Sequence, residues 1–281
     1  MRIVMDDVGD IPAELIKEYN IRVLPVNIIF GTEQFLSGVD MSPADFYEKT
    51  KQVTSANFPK TSQPTPYQFV TCYEEILAEG ETDILAVTIS QKLSGTYESV
   101  VIAQKELEGR GNFYLFDSQA GSAAQGFMAL EAARMARSGA NVEMILAKLH
   151  KMRDEMAVFF TIDSLEYAVK GGRVSSAKSL IASVLNVKPI LKLDGGEIVE
   201  AGRVRTRRKA LNHIVDQIQG VVGNKLVKLA IMHAGAPEDA AQLQKLASAQ
   251  LNASEEFVVD MAVAVAVNLG PGALGLAAIP D

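Results

Sequence analysis

Apolar runs of strand length alternate with stretches of helical spacing along the whole chain. Ile3, Val4 and Met5 read as a short buried strand, after which Asp10 is placed to cap a helix with Pro12 in its first turn and Leu15, Ile16 and Tyr19 on its apolar face. Residues 23–30 form a second apolar run, where Pro25 predicts an edge position or a bulge because proline has no N–H to give a neighbouring strand. Ser42, Pro43 and Asp45 start a helix to about residue 52; Thr65, Pro66 and Gln68 start another, with Phe69, Val70, Tyr73, Ile76 and Leu77 on one side. A strand over 84–89 and a helix marked by Val100, Val101, Ala103, Gln104 and Leu107 enclose a hydroxyl-rich turn at 90–97. A strand at 113–116 and helices at 120–137 and 142–155 complete this half.

The remainder reads as a strand (157–161), a short helix (164–168), a helix (177–185) and two strands (189–193 and 197–204). Asp194, Gly195 and Gly196 join those two strands as a hairpin. Then come a helix (207–218), a strand (227–232), a helix (238–249) and a strand (257–267), ending in a Gly-rich turn at 270–275. This order predicts an α/β protein of two units. Residues 1–155 would form a doubly wound parallel sheet carrying hydroxyl-rich ligand loops, and 156–281 a mixed sheet with helices, the ligand lying between or beside them.

Composition narrows the class. With 281 residues, 48% hydrophobic and 22% charged, the chain has the make-up of a folded globular protein large enough for a substantial core. A net charge of -7 provides no overall positive field for nucleic acid. Acids interrupt the amino terminus at Asp6 and Asp7, unlike a signal peptide, and Cys72 is the only cysteine, so the expected location is the reducing cytoplasm. The apolar tract at 257–269 is too short to span a bilayer and contains Asp260.

Few residues suggest chemistry. Gly270, Gly272 and Gly275 fit G-x-G-x-x-G, but no helix, strand and acidic residue follow as a dinucleotide site requires, so a tight turn is expected. His150, His213 and His233 stand in no metal-binding spacing. Asp6 and Asp7 fall at the end of the first strand, where capping or bonding to a neighbouring loop is the expected role and a metal or nucleophile the alternative. Arg203, Arg205, Arg207, Arg208 and Lys209 make a basic cluster without interleaved aromatics; a solvated face ranks first, an acidic partner or phosphate second and nucleic acid last. The turn at 90–97 supplies Ser90, Ser94 and Thr96, with Gly95 allowing close backbone approach. A strand-to-helix turn of this kind is where open α/β folds hold anionic or oxygen-rich groups, although Ser94 acting as a plain helix cap is the simpler role.

Several segments together resemble the DegV family of bacterial fatty-acid-binding proteins. They are Asp6 with Asp10, Ile11 and Pro12; residues 61–65; residues 93–97; Asp117 and Ser118; residues 165–167 and 171–174; residues 188–191; Arg205 with Lys209 and Ala210; and residues 270–275. The resemblance implies a long-chain fatty acid in an apolar tunnel, with no cofactor, metal or catalytic residue of the chain's own. Its carboxylate would lie at Thr61 and Ser94, and Ser62, Gly95, Thr96, Asn268 and Gly270 would complete the ligand loops. It also implies a separate ATP-dependent fatty acid kinase as partner, met through Arg173 and Arg205, which makes an acyl phosphate for phospholipid synthesis, and transient contact with a membrane surface. Two positions depart from the pattern. Asn268 stands where family members usually carry a histidine, and Asp7 adds an acid to a loop that is usually rich in Thr and Ser. The other reading is an enzyme or binding protein for a small polar hydroxylated ligand, using Asp6, Asp7 and the hydroxyl loops.

Overall fold

Backbone pairing sorts the strands into three sheets in a computed structural model that describes residues 1–174 and 187–281. The helix expected over 177–185 lies outside the described residues. The first sheet is parallel throughout, in the order β2 (Arg22–Leu24), β1 (Arg2–Asp6), β6 (Asp83–Thr88), β7 (Asn112–Asp117). The second has six strands: β10 (Glu197–Val204), β9 (Lys188–Asp194), β8 (Ala157–Thr161), β13 (Leu274–Pro280), β11 (Leu226–His233) and β12 (Asn252–Asp260). Within it β11 and β12 run parallel and the other pairs antiparallel, so the α/β class with one parallel and one mixed sheet holds. A third, antiparallel sheet of β4 (Glu33–Leu36), β3 (Asn27–Phe30) and β5 (Lys60–Ser62) was not anticipated.

The run at 23–30 is two strands in different sheets. Pro25 ends the pairing of β2, and the next N–H, that of Val26, is taken by the Asp7 carboxylate at 3.0 Å. Asp10 does not cap α1 (Ala13–Glu18), whose N-terminus has no side-chain cap. It is instead buried, accepting from the Ser122 hydroxyl and from the Ala262 N–H at 2.9 Å. That second bond sits at the start of α10 (Val263–Leu269), which replaces the latter part of the strand expected over 257–267. Alternating Val and Ala suggested extension there, but tertiary contacts prevail over a weak local preference. The Gly-rich turn leads into β13, which is wholly buried at the centre of the mixed sheet. Gly272 (φ 82°) belongs to that turn, and its N–H donates to Ala234 O at 2.7 Å.

Local signals elsewhere act as read. Ser42 and Asp45 form a reciprocal capping box on α2 (Pro43–Thr50), as do Thr65 and Gln68 on α3 (Pro66–Ala78). The helices α4 (Thr96–Glu106), α6 (Val142–Glu155), α7 (Leu165–Gly171), α8 (Arg207–Val222) and α9 (Pro237–Ser248) match the remaining expectations within a few residues. Helix α5 (Ser122–Arg137) packs against strands of both large sheets and is buried along most of its length. Its small residues allow this. A Cβ on Gly126 would stand 2.6 Å from both Asp10 O and Ile11 Cγ2. Phe127 is fully buried, its ring centroid 4.5 Å from that of Phe257 on β12. Phe127→Ala is therefore expected to cost about 3–5 kcal/mol, read as a lowered urea midpoint at unchanged slope.

Candidate functional site

A cavity opens where loops of the parallel sheet face the mixed sheet. Mouth and open solvent included, it holds about 860 Å³ of space free of protein atoms. Val8, Val26, Ile89 and Leu93 form its wall on the parallel-sheet side; Val158, Phe160, Met232 and Met261 face them, and Ala264, Val265 and Leu269 of α10 close one side. The polar groups in the wall are few: Thr61, Gln63, Ser94, Ser122, Arg173 and Asn268. Among the described residues, no carboxylate lines it.

Four residues singled out in the sequence, Thr61, Ser94, Asn268 and Arg173, thus share one cavity although they come from β5, the loop before α4, α10 and the segment after α7. The other ligand-loop residues lie behind the wall. Thr96 is buried, its hydroxyl 2.9 Å from that of Ser94, and Gly95 rather than Ser94 holds the N-cap position of α4, which has no side-chain cap. Gly95 abuts Gln63, whose Nε2 would stand 2.8 Å from an added Cβ. Ser62 offers its carbonyl to Asn27 Nδ2 at 3.4 Å. Gly270 (φ 83°) ends α10 against the Tyr167 ring, leaving 2.7 Å between an added Cβ and Cδ2. Ser90 is fully buried and its hydroxyl donates to Gly196 O. Arg205 is exposed on β10's continuation, outside the cavity.

Hydrogen bonds set what each polar group can still do. Asn268 spends its Nδ2 on Ala264 O at 3.0 Å, and its Oδ1 faces Gly171, where an added Cβ would come within 2.8 Å. Arg173 is held by two backbone carbonyls, Nε to Leu93 O at 3.3 Å and Nη1 to Gly171 O at 2.6 Å, which fix the guanidinium without consuming its charge. Gln63, Gly121 and Ser122 were not anticipated. The pair Gly121 and Ser122 before an Ala-rich helix is the one sequence signal for the last two; Ser122 takes the left-handed conformation (φ 51°) where α5 begins.

Neither Asp6, which is fully buried, nor Asp7, which is half-buried, lines the cavity. Both oxygens of Asp6 are occupied, accepting from Val8 N at 3.3 Å, Gln125 Nε2 at 3.2 Å and Ile89 N at 3.0 Å. Burial pushes its carboxyl up to about 6 against those bonds. Asp7 is pushed up to about 8 by burial, and its Oδ2 has no hydrogen-bond partner. Burial likewise raises Asp10 to about 7. Asp6 and Asp7 bond to backbone N–H groups of the wall residues Val8, Ile89 and Val26 and do not themselves line the cavity. Among the described residues no group of three or more His, Cys, Asp or Glu could hold a metal ion, and no helix is long and apolar enough to cross a membrane. Of the basic cluster, Arg203 pairs with Glu200 and Arg207 with Asp239 and Asp163, while Arg205, Arg208 and Lys209 are solvent-exposed. His150 packs edge-on against Phe116, and His233 lies 3.4 Å from Asp260, which also accepts from Tyr47.

The fold and the cavity define an α/β protein with a largely aliphatic cavity between a parallel and a mixed sheet. The chain belongs to the DegV family, whose profile, described as "Uncharacterised protein, DegV family", matches residues 1–281. It is 32% identical over 276 residues to Protein DegV of Bacillus subtilis, covering 98% of this chain and 97% of that one. With a DegV domain-containing protein of Listeria monocytogenes the identity is 33% over 278 residues, covering 98% and 96%. Two solved structures extend the likeness. A DegV family protein from Thermus thermophilus, described for its fatty acid binding, superposes with a TM-score of 0.93 at 31% identity over all of both chains. DegV of Bacillus subtilis, described as a fatty acid binding protein, superposes at 0.87 and 30% identity, covering 100% of this chain and 99% of that one.

Proposed function

We propose that this chain is a long-chain fatty-acid carrier that holds the acid in the cavity and presents its carboxylate to a separate ATP-dependent kinase for acyl phosphate formation. The observation that carries the reading is the composition of one wall: aliphatic over most of its surface, with the hydroxyls of Thr61 and Ser94 among its few polar groups and, among the described residues, no acid. A carboxylate takes bonds from hydroxyl donors there without a buried counter-charge, each charge-assisted bond contributing about 1.5–3 kcal/mol. The tail supplies most of the affinity, at roughly 0.8 kcal/mol per buried methylene. Neutral donors suit a head group that is handed on. The related fatty-acid-binding structures support the ligand class. Arg173 at the cavity and exposed Arg205 are the cations assigned to the partner's phosphates or acidic surface, and the chain itself is assigned no catalytic residue.

The test is mass spectrometry of an organic extract of the purified protein beside an equal mass of an unrelated protein. A near-stoichiometric long-chain acid is the expected result. An empty extract that stays empty after incubation with a panel of such acids overturns the reading.

A further inference from the structure

The polar residues that line the cavity do not all lie together. Asn268 stands near the C-terminal end of α10, and its Oδ1 faces Gly171, whose carbonyl accepts from Arg173 Nη1 at 2.6 Å. Arg173 Nε donates in turn to Leu93 O, next to Ser94. Gln63 abuts Gly95, and Thr61 lies two residues earlier, on β5. Those groups mark one end. Ser122 belongs to the other. Its hydroxyl donates to Asp10 Oδ2, and Asp10 Oδ1 accepts from the N–H of Ala262 at 2.9 Å, where α10 begins. From Ala262 to Asn268 the helix advances about 9 Å along its axis. The surroundings of Ser122 are apolar. A Cβ on Gly121 would stand 3.4 Å from Val8 Cγ1 and 3.7 Å from Ile89 Cγ1, and Met261 directly precedes Ala262; all three of these apolar residues line the cavity with Ser122. Ser122 also holds a left-handed backbone (φ 51°), so a hydroxyl is kept at a position whose conformation favours glycine.

With its hydrogen committed to Asp10, the Ser122 hydroxyl keeps acceptor capacity on its oxygen. Burial raises Asp10 to about 7, and a proton taken up there sits on Oδ2, because Oδ1 faces an N–H; Ser122 then accepts from Asp10 and has its own hydrogen free. A ligand hydroxyl, both donor and acceptor, matches either state. We infer that Ser122, positioned by Asp10, is a second polar subsite of the cavity, which takes a hydroxyl borne partway along the alkyl chain of a long-chain fatty acid. The inference rests on the fatty-acid reading and on the carboxylate lying at Thr61 and Ser94. Met232 and Met261, unbranched and adaptable, line the same cavity and can shift to admit an added oxygen. Against a wholly apolar wall the inserted hydroxyl would lose its bonds to water and gain none.

Titration calorimetry with stearic acid and with its mid-chain hydroxylated derivative decides it. The wild-type protein is expected to bind both, and Ser122→Ala to lower affinity for the hydroxylated acid by about 10–100-fold while stearic acid changes far less. Damage to folding or packing lowers both alike, so the ratio reports the subsite. The isomer with its hydroxyl beside the carboxylate should show no selective loss. Asp10→Asn is the second variant: its Oδ1 still meets the Ala262 N–H and its Nδ2 donates to Ser122, which frees the Ser122 hydrogen at every pH. It should keep the hydroxylated acid and, at about pH 9, where the wild-type Asp10 is ionised, bind the mid-chain oxo acid about ten-fold more tightly than the wild type does. An equal fall for both acids in Ser122→Ala, or an equal loss for the two positional isomers, overturns the subsite. Stearic acid bound by a wild-type protein that rejects the hydroxylated acid overturns it while the carrier reading stands. A wild-type protein that binds neither acid overturns both.

Discussion

Thr61→Val combined with Ser94→Ala is expected to lower affinity for a long-chain fatty acid by about 10²–10⁴-fold, as two charge-assisted bonds of about 1.5–3 kcal/mol each are lost in part or whole. Both side chains line the cavity, and Thr61→Val keeps the shape of the residue it replaces. The control is the alcohol of the same chain length. It gains the same tail burial but carries no charge, so its affinity should fall much less, and titration calorimetry with the two ligands separates head-group recognition from damage to the chamber. An equal fall for acid and alcohol would place the effect in packing. Unchanged binding of the acid would remove both hydroxyls from the head-group site. Ser94 alone carries an additional consequence: its hydroxyl is 2.9 Å from that of the buried Thr96, which would be left without this partner in Ser94→Ala.

The second large effect is a pH dependence of stability opposite to that of ordinary acid denaturation. Burial raises Asp6 to about 6, Asp10 to about 7 and Asp7 to about 8, from 3.8 for an unburied aspartate. Between about pH 4 and these values the folded protein holds protons that the unfolded chain has released, so stability falls as pH rises and levels off above the highest of them. A tenfold weakening of one acid on folding corresponds to about 1.4 kcal/mol, and the three penalties act in the same direction. Below about pH 4 the sign reverses. Asp260, Asp281 and Glu255 are held low by hydrogen bonds and charges from His233, Lys228 and Arg134, which outweigh desolvation at the two aspartates, and their contribution is lost as they protonate. The melting temperature is therefore expected to be higher near pH 5 than near pH 8. Asp7→Asn tests the assignment, because it keeps an acceptor for Val26 N while removing the charge from an oxygen that has no partner. It should raise the melting temperature at about pH 8, where most of the penalty resides, and flatten the slope above pH 6. An identical slope in the variant would assign the dependence to other groups.

These two results rest on different kinds of information. Local chemistry determined much of the secondary structure. The capping boxes at Ser42 and Thr65 and the hairpin at Asp194, Gly195 and Gly196 work through neighbours within a few residues, and each formed where it was read. Order and spacing of motifs over the whole chain also carried the family, and with it the expectation that Thr61, Ser94 and Asn268 meet. What sequence by itself did not determine depends on contacts distant along the chain. Residues 263–269 became a helix whose first backbone donor, at Ala262, is met by Asp10 from 252 positions away, and the same bond took Asp10 out of its expected role as a cap for α1. Residues 274–280 became the central strand of the mixed sheet because β8 and β11 pair with both its edges. Pro25 divided one apolar run between two sheets, and Ser90, a candidate for ligand contact, was spent on a carbonyl 106 residues away. Periodicity records which side of an element is buried and not what buries it. The aliphatic wall of the cavity and the weakened acidity of three aspartates on one loop were therefore decided only when the two sheets closed on α5.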